Sequence, residues 1–123
     1  DENRTDLGWA NALLDSSADV VVYQAMKQVF VIDLKTREII CKMRGFGDSY
    51  QAAISGDLIL IKPKLSGREE PARLYDYRRR MNLGEIPFPY RLAGAVGARF
   101  VGVERTGPGY APIKVLLFEA KLD

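Results

Sequence analysis

Short apolar runs separated by turn residues make up almost the whole chain. The runs are Val20 to Tyr23, Val29 to Leu34, Glu38 to Met43, Tyr50 to Ile54, Leu58 to Lys62, Ala72 to Tyr77, Met81 to Ile86, Tyr90 to Val96, Arg99 to Glu104 and Ile113 to Ala120. Between them lie Asp15-Ser16-Ser17, Lys35-Thr36-Arg37, Gly45-Phe46-Gly47-Asp48, Ser55-Gly56, Ser66-Gly67 and Thr106-Gly107-Pro108-Gly109. Such clusters are turn chemistry, with glycine supplying positive φ where a turn needs it. Helical periodicity is nowhere sustained past two turns, so the pattern predicts an all-β chain. Residues 6–14 leave two readings open: a short helix with Asp6 as N-cap, or a first strand from Asn11 to Leu14.

Aligned under one another, the runs repeat. Ala18-Asp19-Val20-Val21-Val22-Tyr23 resembles Gly56-Asp57-Leu58-Ile59-Leu60-Ile61, and both resemble Ala98-Arg99-Phe100-Val101-Gly102-Val103. A second run follows each: Val31-Ile32-Asp33-Leu34, Leu74-Tyr75-Asp76-Tyr77 and Leu117-Phe118-Glu119-Ala120. An acidic residue recurs about every 43 residues as Asp33, Asp76 and Glu119. Recurrence in every unit predicts strand-end positions with local hydrogen bonds and no shared ligand. Tyr50 and Tyr90 each open the strand before the next unit, and Gly67 and Gly109 fall in the turn between paired runs.

The composition of the runs says how they are buried. A sheet with one wet face alternates apolar and polar residues, whereas Val20-Val21-Val22 and Leu58-Ile59-Leu60-Ile61 are apolar throughout. These strands are expected to be covered on both faces. A repeat of about 42 residues with four short strands is the mark of a propeller blade. The expected architecture is an antiparallel meander of about three four-stranded blade-like units at 18–49, 50–89 and 90–123, with 1–17 as an N-terminal covering segment. A β-sandwich or barrel is the alternative.

Val29-Phe30-Val31-Ile32-Asp33-Leu34-Lys35-Thr36-Arg37-Glu38-Ile39-Ile40 resembles the hairpin between third and fourth strands of quinoprotein-like and YVTN-type β-propellers. In those families an apolar strand ends in Asp and is followed by a Thr-Gly-Glu-like turn. Arg37 stands where glycine is usual, which predicts a turn without obligatory positive φ. The resemblance covers most of 18–120 and implies a hairpin rather than a chemistry. No Trp-Asp dipeptide closes a unit, so the WD-repeat subtype finds no support. An enzyme fragment, contributing blades to a quinoprotein-type active site completed elsewhere, is one function the resemblance implies. A closed propeller takes at least about four blades. Three units leave apolar sheet faces open at the ends, which is expected of a piece of a larger propeller, of copies that assemble or meet a protein partner, or of units that fold as a sandwich.

Composition narrows the chemistry. The chain has 123 residues, 47% apolar and 28% charged, values of an ordinary globular domain. It contains no histidine, which excludes Ser-His-Asp and Cys-His catalysis and His-containing zinc sites. With a single cysteine, Cys41, no internal disulfide or thiolate cluster forms, and its apolar neighbours suggest a small core residue. No EF-hand-like ladder of Asp and Asn appears. Metal, cofactor and catalytic residues are therefore all read as none. A net charge of +2 implies neither nucleic acid nor an anionic membrane, and the apolar runs reach only four residues against the ~20 of a membrane helix. The N-terminus DENRTD carries no retained signal peptide. A soluble, cytoplasmic setting is the working expectation.

Four features carry candidate chemistry. Arg78-Arg79-Arg80, with Arg73, Tyr75 and Tyr77 nearby, has the composition of a nucleic-acid contact; an exposed charged turn is the plainer account. Gly107-Pro108-Gly109-Tyr110 lacks the Gly-Lys-Ser/Thr ending of a phosphate loop and reads as a hairpin. Glu69-Glu70 is an acidic pair in a polar loop, without a partner that would suggest glycoside hydrolysis. Trp9, the only tryptophan, is expected to pack the N-terminal segment over an exposed sheet, or else to anchor a partner. The function expected is a non-catalytic binding or assembly module.

Overall fold

The computed structural model describes residues 4, 6–44, 50–63, 71–88, 90–105, 107–109 and 112–119. Gly45 to Gly47, Gly67, Glu69-Glu70 and Tyr110, singled out above, lie outside them. None of the described residues is helical, and the strand reading of the N-terminal stretch holds. The chain is an all-β meander of three antiparallel blade-like sheets in chain order. The first joins β1 (Ala12–Ser16), β2 (Val20–Ala25), β3 (Gln28–Asp33) and β4 (Ile39–Arg44). The second joins β5 (Tyr50–Ser55), β6 (Leu58–Pro63), β7 (Ala72–Asp76) and β8 (Met81–Ile86). Among the described residues the third has three strands where four were expected: β9 (Arg91–Val96), β10 (Arg99–Arg105) and β11 (Ile113–Phe118). Among the described residues no sheet closes into a barrel.

Two apolar layers hold the sheets together. Side chains alternate across a strand, so each sheet presents a forward face to the next sheet and a rear face to the one before. Val20, Val22, Val29 and Val31 of the first sheet pack against Ile59, Ile61 and Tyr75 on the rear of the second. Leu60, Ala72 and Leu74 on the forward face of the second meet Leu92 and Phe100 of the third, with Phe88 from the connection. The middle strand is covered on both faces as its composition predicts: Ile59 and Leu60 are 0% exposed, Ile61 2%, and Leu58 is half-buried.

Hairpin geometry corrects three expectations. First, β1 belongs to the first sheet, so that sheet begins inside the segment 1–17 expected to be a separate cover. Second, Arg37 does adopt a positive φ of 62°, and its counterpart Arg80 has 53°. Both turns are held from their first residue. Asp33 Oδ1 accepts from Lys35 N (2.8 Å) and Thr36 N (3.2 Å), and Asp76 Oδ1 accepts from Arg78 N and Arg79 N (both 3.0 Å). These bonds offset the strain that a left-handed arginine carries where glycine would be relaxed. Third, the repeat slips by one residue in the last unit. Gly56 and Gly97 both have φ of 59° in the hairpins that enter β6 and β10. Leu60 pairs with Leu74 and Val101 with Leu117, so Val101, rather than Gly102, is the counterpart of Leu60. A slip of one residue exchanges the faces of a strand. Phe100 and Gly102 accordingly face the second sheet, and Val101 and Val103 face away from it.

Candidate interaction surface

The first strands β1, β5 and β9 lie beside one another, each against the next. They enclose a concavity of about 350 Å³ whose wall includes Leu13, Leu14, Ala52 and Leu92. Its two glutamines hold backbone rather than point at a ligand. Gln24 Oε1 accepts from Tyr50 N (3.2 Å), and Gln51 Oε1 accepts from Leu92 N (3.3 Å). Asp15 does the same one strand over, its Oδ2 accepting from Ile54 N at 2.8 Å. These bonds cross from one sheet to the next and fix the spacing of the first strands. Among the described residues no group of three or more His, Cys, Asp or Glu is placed to hold a metal ion.

The arginine turn is organised by its own carboxylates. Arg78 Nε donates to Asp57 Oδ1 (2.6 Å) and its Nη2 donates to Asp19 Oδ2 (3.0 Å), so one guanidinium ties the second sheet to the first. The Asp57 hydrogen bond, then the charge of Asp19, raise the Arg78 pKa. The Tyr77 hydroxyl, 2.9 Å from Gly56 O and 3.2 Å from Asp19 Oδ2, shares its proton between them. Arg79 lies 3.8 Å from Asp76 Oδ2. Asp33 is held below the usual carboxylate range, first by the Thr36 and Lys35 N–H groups. The expectation for Asp33 and Asp76 is met: equivalent strand-end positions with equivalent local bonds. Glu119 directly follows β11.

Cys41 is half-buried beside the first apolar layer, and burial pushes its thiol upward while the Tyr75 hydroxyl pulls against it. A raised thiol is a poor nucleophile at neutral pH, which suits a packing role. Tyr75 itself donates to Ile40 O at 3.1 Å across the first junction. Trp9 covers nothing: it is 96% exposed, which corrects the expectation that it packs over a sheet.

One apolar face with an outward aim was visible in sequence only as a missing neighbour. Strand register places Val101 with Leu117 and Val103 with Val115 on the forward face of the third sheet, and Ile113, two residues before Val115, shares that face. Ile113, Val115 and Leu117 are 57%, 63% and 59% exposed, and Val96 joins them at 65%. Exposed Arg91 and Arg99 share this face through their pairing with Val103 and Val96. In the two earlier sheets the matching face is a dry layer; here it meets solvent.

No family model, curated protein or solved structure matches this chain. The functional reading rests on its own geometry, and among the described residues there is no helix long and apolar enough to cross a membrane.

Proposed function

We propose that the chain is a non-catalytic binding or assembly module of β-propeller-like architecture, in which each sheet is a blade and the forward face of the third is the docking face. The observation that carries this reading is the exposed row Ile113, Val115 and Leu117. A forward face of the same kind is covered by a following sheet at both earlier junctions. Apolar area removed from water is worth roughly 25 cal/mol per Å², so a face of a few hundred Å² is worth several kcal/mol. That is a sizeable share of a domain's net stability of about 5–15 kcal/mol.

The other readings gain less. Nucleic-acid binding through Arg78, Arg79 and Arg80 would compete with Asp19, Asp57 and Asp76, which already engage the first two arginines. A quinoprotein-type site would need polar groups converging in the concavity, where Gln24 and Gln51 instead accept backbone N–H bonds.

Light scattering behind size exclusion at micromolar concentration tests the docking face. A mass above 13.8 kDa is expected, falling to the single-chain value in Val115→Lys/Leu117→Lys. Because both positions are already exposed, the double variant should fold. A single-chain mass for the unaltered protein, or a mass unmoved by the double variant, overturns assembly through this face.

A further inference from the structure

The second junction is filled differently from the first. At the first, Tyr75 of the second sheet donates to Ile40 O of the sheet before it, and Ile61 packs from the same face. Their counterparts in the third sheet are Phe118, which has no hydroxyl, and Gly102, which has no side chain. The connection from β8 to β9 takes up the space instead. Phe88 is 2% exposed there, edge-on to the rings of Tyr90 (5.7 Å) and Phe118 (5.3 Å). The third sheet therefore rests on Phe88 and Tyr90 as well as on the second sheet itself.

Lys62 holds that connection in place. Its Nζ donates to Phe88 O and Tyr90 O, and stands 5.4 Å from the centroid of the Phe88 ring. The counterpart of Lys62 is Gln24, since Val22 and Leu60, two residues before them, pair with the equivalent residues Val31 and Leu74. Gln24 Oε1 accepts from Tyr50 N, and Tyr50 leads into the second sheet as Tyr90 leads into the third. One position near the end of each sheet's second strand thus pins the chain where it enters the next sheet. At the first junction the pin is a neutral amide. At the second it is a cation, whose bonds to carbonyl oxygen and to a π face are of the stronger kind.

We infer that the second junction is a joint and that Lys62 is its pin. With the ammonium seated, Phe88 and Tyr90 hold the third sheet against the second. With the ammonium removed, the connection lifts and the third sheet opens as a unit. Opening uncovers Ala53, Leu60, Ala72 and Leu74, each 0% exposed when the joint is closed. Cooperative opening follows the weakest boundary between packed units. The joint lies between two sheets that are both in place, so it stands whether or not the forward face of the third sheet docks a partner.

Thiol labelling with N-ethylmaleimide reads the opening in the full chain. In a Cys41→Ser background, Ala53→Cys places a thiol at the second junction and Val22→Cys places one at the first, both at positions 0% exposed. The thiol at 53 should react about tenfold faster than the thiol at 22, because the second junction opens without the first. Lys62→Met should raise labelling at 53 about a further tenfold, the scale of a lost bond to a charged donor, and leave labelling at 22 unchanged. Lys62→Arg, which keeps the charge and its donors, should label at the parent rate. An equal rise at both thiols means a loss of global stability and overturns the joint, as does no rise at either. An arginine variant that labels as fast as the methionine variant overturns the assignment to the cation. Should Lys62→Met leave no folded chain, the two thiols in the parent decide, and equal rates there overturn the joint.

Discussion

The second and third sheets carry the same pattern and meet different fates. Leu74 in β7 and Leu117 in β11 occupy equivalent positions, yet Leu74 is 0% exposed and Leu117 59%. Leu60 and Val101, paired with them, are likewise fully buried and half-buried. The strands have similar composition and the same hairpin geometry. What differs is whether a following sheet lies opposite. Burial here is a property of the junction rather than of the strand, and the forward face of the third sheet is a junction without its second half.

The largest expected effect tests that comparison within one residue type. Leu74→Ala should cost roughly 2–5 kcal/mol in urea unfolding, through lost burial and the cavity left behind. Leu117→Ala should stay within about 0.5 kcal/mol at a concentration where the chain is dissociated, as surface changes do. Comparable losses at the two sites in the dissociated chain would break the comparison, since Leu117 would then be covered within the chain itself.

Next comes Gly102, on the rear face where Ile61 stands in the second sheet. A Cβ there would lie 2.9 Å from Tyr90 Cβ and 3.3 Å from Phe88 Cζ, because the connection leading into β9 fills the space a side chain would take. Gly102→Ala should cost about 1–3 kcal/mol by overpacking, read from the thermal midpoint. A neutral result would show that the second junction is looser than the first.

Tyr75→Phe removes the hydroxyl that reaches Ile40 O across the first junction and should cost about 0.5–1.5 kcal/mol in the same denaturation assay. Smaller still is Asp33→Asn, which probes the turn at the end of β3. Its two N–H donors depress the Asp33 pKa below 3.8, so the stability it contributes is present above that value and is lost as pH falls through the lower, folded-state pKa. The variant should unfold at lower urea than the parent near neutrality, and the gap should close in strong acid. A gap that persists there would assign Asp33 a role independent of its charge.

The strand positions were legible in sequence, because alternation and turn chemistry are local. All ten apolar runs became strands, and Met81 to Ile86 has the same bounds in both readings. The strand at Ala12–Ser16 was one of two open readings, since its Leu13-Leu14 pair fits either period. Asp33 and Asp76 were legible as turn residues because their bonds reach only two and three residues along the chain. The candidate surface was legible only as an inference from counting units. Its members could not be named, because the third unit was aligned one residue out, on Ala98 in place of Gly97, and that slip turns Val101 and Gly102 to the wrong faces.

What the sequence determined by itself is therefore the class, the order of the strands and the turns that join them, each fixed by residues a few positions apart. Tertiary structure decided the rest. It set a left-handed backbone at Arg37 and Arg80, where carboxylate-held turns offset the strain. It left Trp9 in solvent, made β1 part of the first sheet, and left Ile113, Val115 and Leu117 without a cover. The physical reason is common to these cases. A side chain's exposure depends on which sheet stands opposite it, and that partner comes from residues distant in the chain or from another molecule.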